Sequence, residues 1–151
     1  MKWAIRSMSW VIGGAAIALA AALPAGTARA VEVRIEHKGI GLLGEAALAP
    51  GKTWKDGAIL LVHGTMMHKG TDTVAHLQKA LLEQGRSSLS VTLSLGVPDR
   101  RGNADCAKPQ NHRHQDAAAE IAAWVAWLKG QGAADITVLG HSRGGNQVAR
   151  Y

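Results

Sequence analysis

The sequence predicts an α/β fold: a mostly parallel sheet carrying helices on both faces. Two observations support this. Residues 58–62 read Ala-Ile-Leu-Leu-Val, an unbroken apolar run that ends in His63-Gly64 and marks a central strand covered on both sides. From there onward, strand-like segments alternate with segments of helical spacing, and a strand-helix-strand-helix-strand order calls for parallel strands joined by right-handed crossovers.

The elements follow in order. Val31, Val33 and Ile35 alternate with Glu32, Arg34 and Glu36, the period of a half-buried strand. A weaker strand is expected over residues 42–48, then a Pro50-Gly51 turn and a polar loop to Asp56-Gly57. After the central strand, Thr71, Asp72 and Thr73 offer N-caps to a helix with Val74, Leu77 and Leu81 on one face, ended by Gly85. Leu89, Val91, Leu93 and Leu95 alternate with serine and threonine as another strand. Residues 96–115 make a polar loop too long for a plain connector. Asp116 is placed as the cap of a helix with Ile121, Trp124, Val125 and Leu128 in a stripe, stopped at Gly130. Residues 136–139 form the last strand, running into Gly140-His141-Ser142-Arg143-Gly144-Gly145.

Composition narrows the class. The chain has 151 residues, one domain at most. Residues 1–30 hold 3 of the 17 basic side chains and none of the 11 acidic ones, so residues 31–151 carry 14 against 11, a net +3. That balance is too weak for a dedicated nucleic-acid binder, and the aliphatic content excludes a disordered chain. A single cysteine, Cys106, excludes a disulfide-stapled mini-domain.

Residues 1–30 read as an export signal, with residues 31–151 as the domain. Lys2 and Arg6 form a positive start, residues 11–23 an apolar run, and Ala28-Arg29-Ala30 a small-x-small cleavage site. A helix of that run is about 20 Å long, short of the roughly 30 Å hydrocarbon core of a bilayer. The alternative is an uncleaved anchor with Trp3 and Trp10 at the interface. The signal reading places the mature chain, from Val31, in a bacterial periplasm or outside the cell, with no stable membrane span. In that oxidising compartment Cys106 is either buried and inert or a reactive thiol, and burial is the expectation.

The chemistry centres on Gly140-x-Ser142-x-Gly144, the spacing of a nucleophile elbow. A strand must turn sharply into a helix, and side chains two residues either side of the serine would collide across the turn. The Arg143 amide, at the first turn of the following helix, suits a developing negative charge. His63-Gly64-Thr65 follows a buried strand where a second amide is needed. A glycine-rich linking turn is the plain alternative. A phosphate-binding loop lacks its closing Lys-Ser/Thr.

With these residues in place, the chain resembles the serine α/β-hydrolases, esterases and lipases among them. The resemblance covers most of residues 31–151 and is specific at the elbow. It implies Ser142 as nucleophile, the backbone N–H groups of Thr65 and Arg143 as oxyanion donors, and His63 as a structural histidine that ties its loop. The family orders its triad as serine, acid, histidine, and residues 143–151 contain no Asp, Glu or His. The expectation is therefore an α/β-hydrolase-type domain truncated after the nucleophile elbow, its acid and histidine lying beyond residue 151.

The upstream histidines His37, His68, His76, His112, His114 and His141 are the candidate stand-ins for the base, and none is expected to serve. Cys106, His112 and His114 invite a metal reading, but their spacing fits no established zinc pattern, and neither metal nor cofactor is expected. Arg100, Arg101, Lys108 and Arg113 outnumber Asp99 and Asp105 in the long loop, as a solvated face or as an attraction for an anionic substrate. Two functional classes result. One is a serine hydrolase acting on a small-molecule ester, thioester or amide through an acyl-enzyme; the other is a truncated, non-catalytic hydrolase-like or binding domain.

Overall fold

The computed structural model describes residues 30–151, so the expected signal segment lies outside the described residues except for Ala30. The strands are β1 (Val31–His37), β2 (Ile40–Ala47), β3 (Ala58–Val62), β4 (Ser88–Thr92) and β5 (Ile136–Gly140). The α-helices are α1 (Asp72–Glu83), α2 (His114–Gly130) and α3 (Arg143–Val148). One sheet runs in the order β1-β2-β4-β3-β5. β3 is parallel to both β4 and β5, whereas β2 is antiparallel to both β1 and β4.

The antiparallel part is a hairpin closed by Lys38 and Gly39, both at positive φ (51° and 76°), as a two-residue turn matched to strand twist requires. That turn starts β2 at Ile40, two residues before the alternation in the sequence suggests. β4 is shorter than expected: Leu93 stays buried, but Leu95 takes φ 53° and leaves the sheet. The polar connection therefore runs over residues 93–113.

Both faces of the sheet are covered. Leu60, Val62, Leu89, Val91 and Leu93 pack against Ala117, Ile121, Trp124 and Leu128 of α2. Ile59 and Leu61 meet Val74, Leu77 and Leu81 of α1 on the opposite face. The serines of β4 are buried as well: Ser90 Oγ donates to Gln78 of α1 (3.3 Å), which in turn donates to the Glu45 carbonyl (2.9 Å), whereas Ser88 Oγ has no partner among the described residues. Trp127 sits edge-on to both Trp54 (6.0 Å) and Trp124 (6.2 Å), an arrangement that adds to area burial.

Three expectations are corrected by local chemistry. Asp116 is not the cap of α2 but sits in its first turn, where its carboxylate accepts the Arg113 N–H at 2.7 Å. Gly130 is the last helical residue rather than the stop. The stop is Gly132 at φ 95°, with the Ala133 N–H bonded to Leu128 O (3.0 Å) and the Gly132 N–H to Lys129 O (2.9 Å). Cys106 is exposed, since it lies on the outer part of the loop. Among the described residues no helix is long and apolar enough to cross a membrane.

Candidate active site

β5 ends at Gly140, paired with Val62, and the His141 N–H still bonds the Val62 carbonyl at 2.9 Å. The next residue breaks the pattern. Ser142 takes φ 54°, ψ −121°, a conformation that costs a non-glycine residue on the order of 1–3 kcal/mol, and α3 begins at Arg143. The flanking glycines make this possible by close approach. A Cβ on Gly140 would fall on the Gly144 carbonyl and the Gly145 nitrogen. One on Gly144 would lie 2.5 Å from His63 O and 2.6 Å from Val62 O. The turn thus presses α3 onto the carboxyl ends of β3 and β5 and leaves Ser142 exposed.

The segment after β3 meets this turn. A Cβ on Gly64 would come 3.3 Å from Ser142 Cβ. Gly64 to Met67 closes on a 3.3 Å bond from Met67 N–H to Gly64 O, with Met66 at φ 61°. A cleft separates this segment from α3, walled by Thr65, Met66, Leu95, His112, Arg143 and Gln147. Thr65 and Arg143 both line this cleft, and among the described residues neither of their N–H groups donates a hydrogen bond.

A buried polar network floors the cleft. His63 lies under it, its Nδ1 on Gly64 O (2.7 Å) and its Nε2 accepting the Leu93 N–H (3.0 Å). Burial first, with the nearby Arg100 charge adding to it, pushes its pKa from the ordinary 6.5 to about 4 against the Gly64 hydrogen bond. The ring is neutral, and with both nitrogens engaged it ties the loop instead of moving protons. Next to it, Ser94 donates its N–H (2.8 Å) and its hydroxyl (2.5 Å) to Glu120, which also meets His112 Nε2 at 3.0 Å. Glu120 and His112 side chains are each 5% exposed. Reading the sequence missed this pair. The available signal was Glu120's phase: it lies three residues after Ala117 and four before Trp124, on the buried stripe of α2.

Of the other histidines, His141 stays beside the elbow, its Nδ1 3.1 Å from where a Cβ on Gly64 would sit, and His68 and His76 lie elsewhere. His68 Nδ1 accepts the Gly70 N–H (3.1 Å) beside an open hollow with Asp72 and Asn103, and His76 Nδ1 bonds Asp72 O (2.8 Å) on the surface of α1. His141 lines a hollow between β5 and α1. Among the described residues no group of three His, Cys, Asp or Glu side chains is disposed to hold a metal; His112 is taken by Glu120 and Cys106 lies apart at the surface. The loop's basic residues have different surroundings: Arg100 is buried, Arg101 holds Glu32 at 2.6 Å, and Lys108 and Arg113 stay exposed.

No known family profile matches the chain, and no curated protein does. Solved structures do. Est1E from Butyrivibrio proteoclasticus, with ferulic acid bound, is 25% identical over 77% of this chain and 45% of its own, at a TM-score of 0.65. The chain has the α/β-hydrolase fold. The Pyrococcus furiosus esterase Pf2001 (18% identical, 82% of this chain, 46% of that one, TM-score 0.62) shares this α/β-hydrolase fold. So does dienelactone hydrolase from Anabaena variabilis (16% identical, 80% of this chain, 55% of that one, TM-score 0.63). The chain spans about half the length of these structures.

Proposed function

We propose that the protein is a serine hydrolase that cleaves an ester, thioester or amide of a small molecule through an acyl-enzyme. Ser142 Oγ bonds to the carbonyl carbon, and the carbonyl π pair moves onto oxygen, where the Thr65 and Arg143 N–H groups receive it. The serine proton passes to a histidine oriented by an acid, which the family's order places downstream of Ser142; as the oxyanion pair re-forms the carbonyl, the bond from carbon to the alcohol, thiol or amine breaks and that proton goes to the leaving group. Water repeats the sequence on the acyl-enzyme. The observation that carries this reading is the strained, exposed Ser142 at φ 54° beside a cleft lined by Thr65 and Arg143, whose N–H groups donate no hydrogen bond among the described residues.

The test is covalent. In the protein extended past Tyr151, a fluorophosphonate labels Ser142, and Ser142→Ala abolishes labelling and lowers turnover by several orders of magnitude. Hydrolysis that survives in the alanine variant assigns the nucleophile elsewhere. Export completes the proposal: residues 1–30 act as a cleaved signal, so mass spectrometry of periplasmic or secreted material finds a chain starting at Val31. Material that retains Met1 favours an anchor.

A further inference from the structure

We propose that Arg100 is a positioning residue that sets the Thr65 amide in the oxyanion cleft, an inference that rests on the role given to Thr65 above. Arg100 is 7% exposed and has no carboxylate within ion-pair distance among the described residues. Its N–H groups go to backbone carbonyls instead. Nε and Nη2 bond Leu93 O (3.0 and 2.7 Å), Nη1 bonds Gly102 O (2.6 Å), and Nη2 bonds Met67 O (2.8 Å). The same Nη2 lies 3.2 Å from His63 Nε2.

Such burial is costly. The cation loses its hydration, and burial pushes the guanidinium down to about 10, with the Glu120 carboxylate, outside ion-pair distance, offsetting only part of that fall. Apolar packing would fill the space at lower cost. What an apolar side chain lacks is a planar fork of donors that fixes several carbonyls relative to one another. Here the fork joins the end of β4, through Leu93, to the Gly64–Met67 turn that presents Thr65.

That turn needs holding. Met66 sits at φ 61°, a left-handed conformation that a side chain makes unfavourable, and locally only the turn's own Met67 N–H to Gly64 O bond, long at 3.3 Å, supports it. Two bonds from one segment grip it: Ala104 N–H to Met66 O (2.8 Å) and Arg100 to Met67 O. These bonds fix Met66 and Met67 relative to residues 100–104, while the Gly64 carbonyl, whose peptide carries the Thr65 N–H, is held by His63 Nδ1 at 2.7 Å and by Met67 N–H at 3.3 Å; Thr65, a wall of the cleft, sits between the two sets of contacts. Arg100 therefore acts on the reacting centre through Thr65, without touching it.

Arg100→Lys keeps a charge but offers one ammonium in place of the fork, and Ala104→Pro removes the second grip without disturbing the buried cation. Each is made in the full chain and examined in two ways. The Thr65 amide resonance is followed by NMR, and fluorophosphonate labelling of Ser142 is split into its maximal rate and its half-saturating concentration. Both variants should move the Thr65 resonance and slow the maximal rate about tenfold or more, with half-saturation changed less than about twofold, as a misplaced donor predicts. A folded Arg100→Lys protein with wild-type Thr65 resonance and labelling rate overturns the proposal, as does a loss confined to half-saturation. Should wild-type Ser142 not label at all while Thr65 still moves in the variants, the positioning stands and the serine-hydrolase reading falls.

Discussion

His63 carries a pH dependence whose sign its surroundings fix. Its pKa falls from 6.5 to about 4 on folding, chiefly through burial, so between those values the unfolded chain binds a proton that the native chain refuses. Stability from this group is intact above pH 6.5 and is lost as pH falls toward 4. At its limit the loss is about 3 kcal/mol, since each tenfold change in proton affinity is worth about 1.4 kcal/mol. Urea unfolding followed from pH 7 to 4 should show that decline, and His63→Gln should flatten it; parallel pH profiles for the two proteins would contradict it. The structural role of His63 came from the family resemblance; of its contacts only the one to Gly64 is local, and Nε2 is held by Leu93 and Arg100 from distant segments. The burial of Arg100 and Glu120 was not legible in the sequence. A charged residue in a polar loop, or one on an otherwise apolar helix stripe, reveals its burial only when a distant segment supplies partners, here Leu93, Ser94 and Met67.

Elements obey shorter-range rules, and the two glycines at the end of α2 separate them. Gly130 is helical, and a Cβ there meets nothing within 4 Å, so Gly130→Ala should raise stability by about 0.5–1 kcal/mol through a smaller entropy loss on folding. Gly132 holds φ 95°, and a Cβ there would sit 3.2 Å from Lys55 Cγ, so Gly132→Ala should lower stability by about 1 kcal/mol or more. Thermal unfolding of the two variants checks this, and equal shifts would return the helix stop to Gly130. In the sequence both glycines follow the last stripe residue, Leu128, and only φ distinguishes them. The elbow was legible for the opposite reason. Glycine, serine and glycine at fixed spacing encode a steric requirement that is local at Gly140, which faces Gly144, although Gly144 itself also presses on Val62 and His63 at the end of β3. β2 began early because the Lys38-Gly39 turn was not recognised, and Leu95 was placed in a strand that its own φ ends.

For the whole molecule, the decisive contrast lies between the two edges of the sheet. β1 is guarded: Glu32, Arg34 and Glu36 line it, with Arg101 on Glu32 and Asp99 on Arg34 at 2.7 Å. Charged edges resist pairing with other chains. β5, the opposite edge, has no charge in residues 136–140; Thr137 is exposed and Leu139 is 38% exposed. Beside it an apolar hollow opens between β5 and α1, lined by Leu61, Val74, Leu77 and Leu139. A strand with one row of unpaired N–H and C=O groups and an apolar flank is a template for a second strand. Residues 31–151 on their own should therefore self-associate across the micromolar range, where exposed edges drive aggregation. Thr137→Lys places a charge on the exposed face of that edge, away from the core, and should restore a monomer without loss of folding. Light scattering against concentration decides it: a wild-type chain that stays monomeric throughout, or a Thr137→Lys chain that associates equally, would show that β5 is not the surface that pairs.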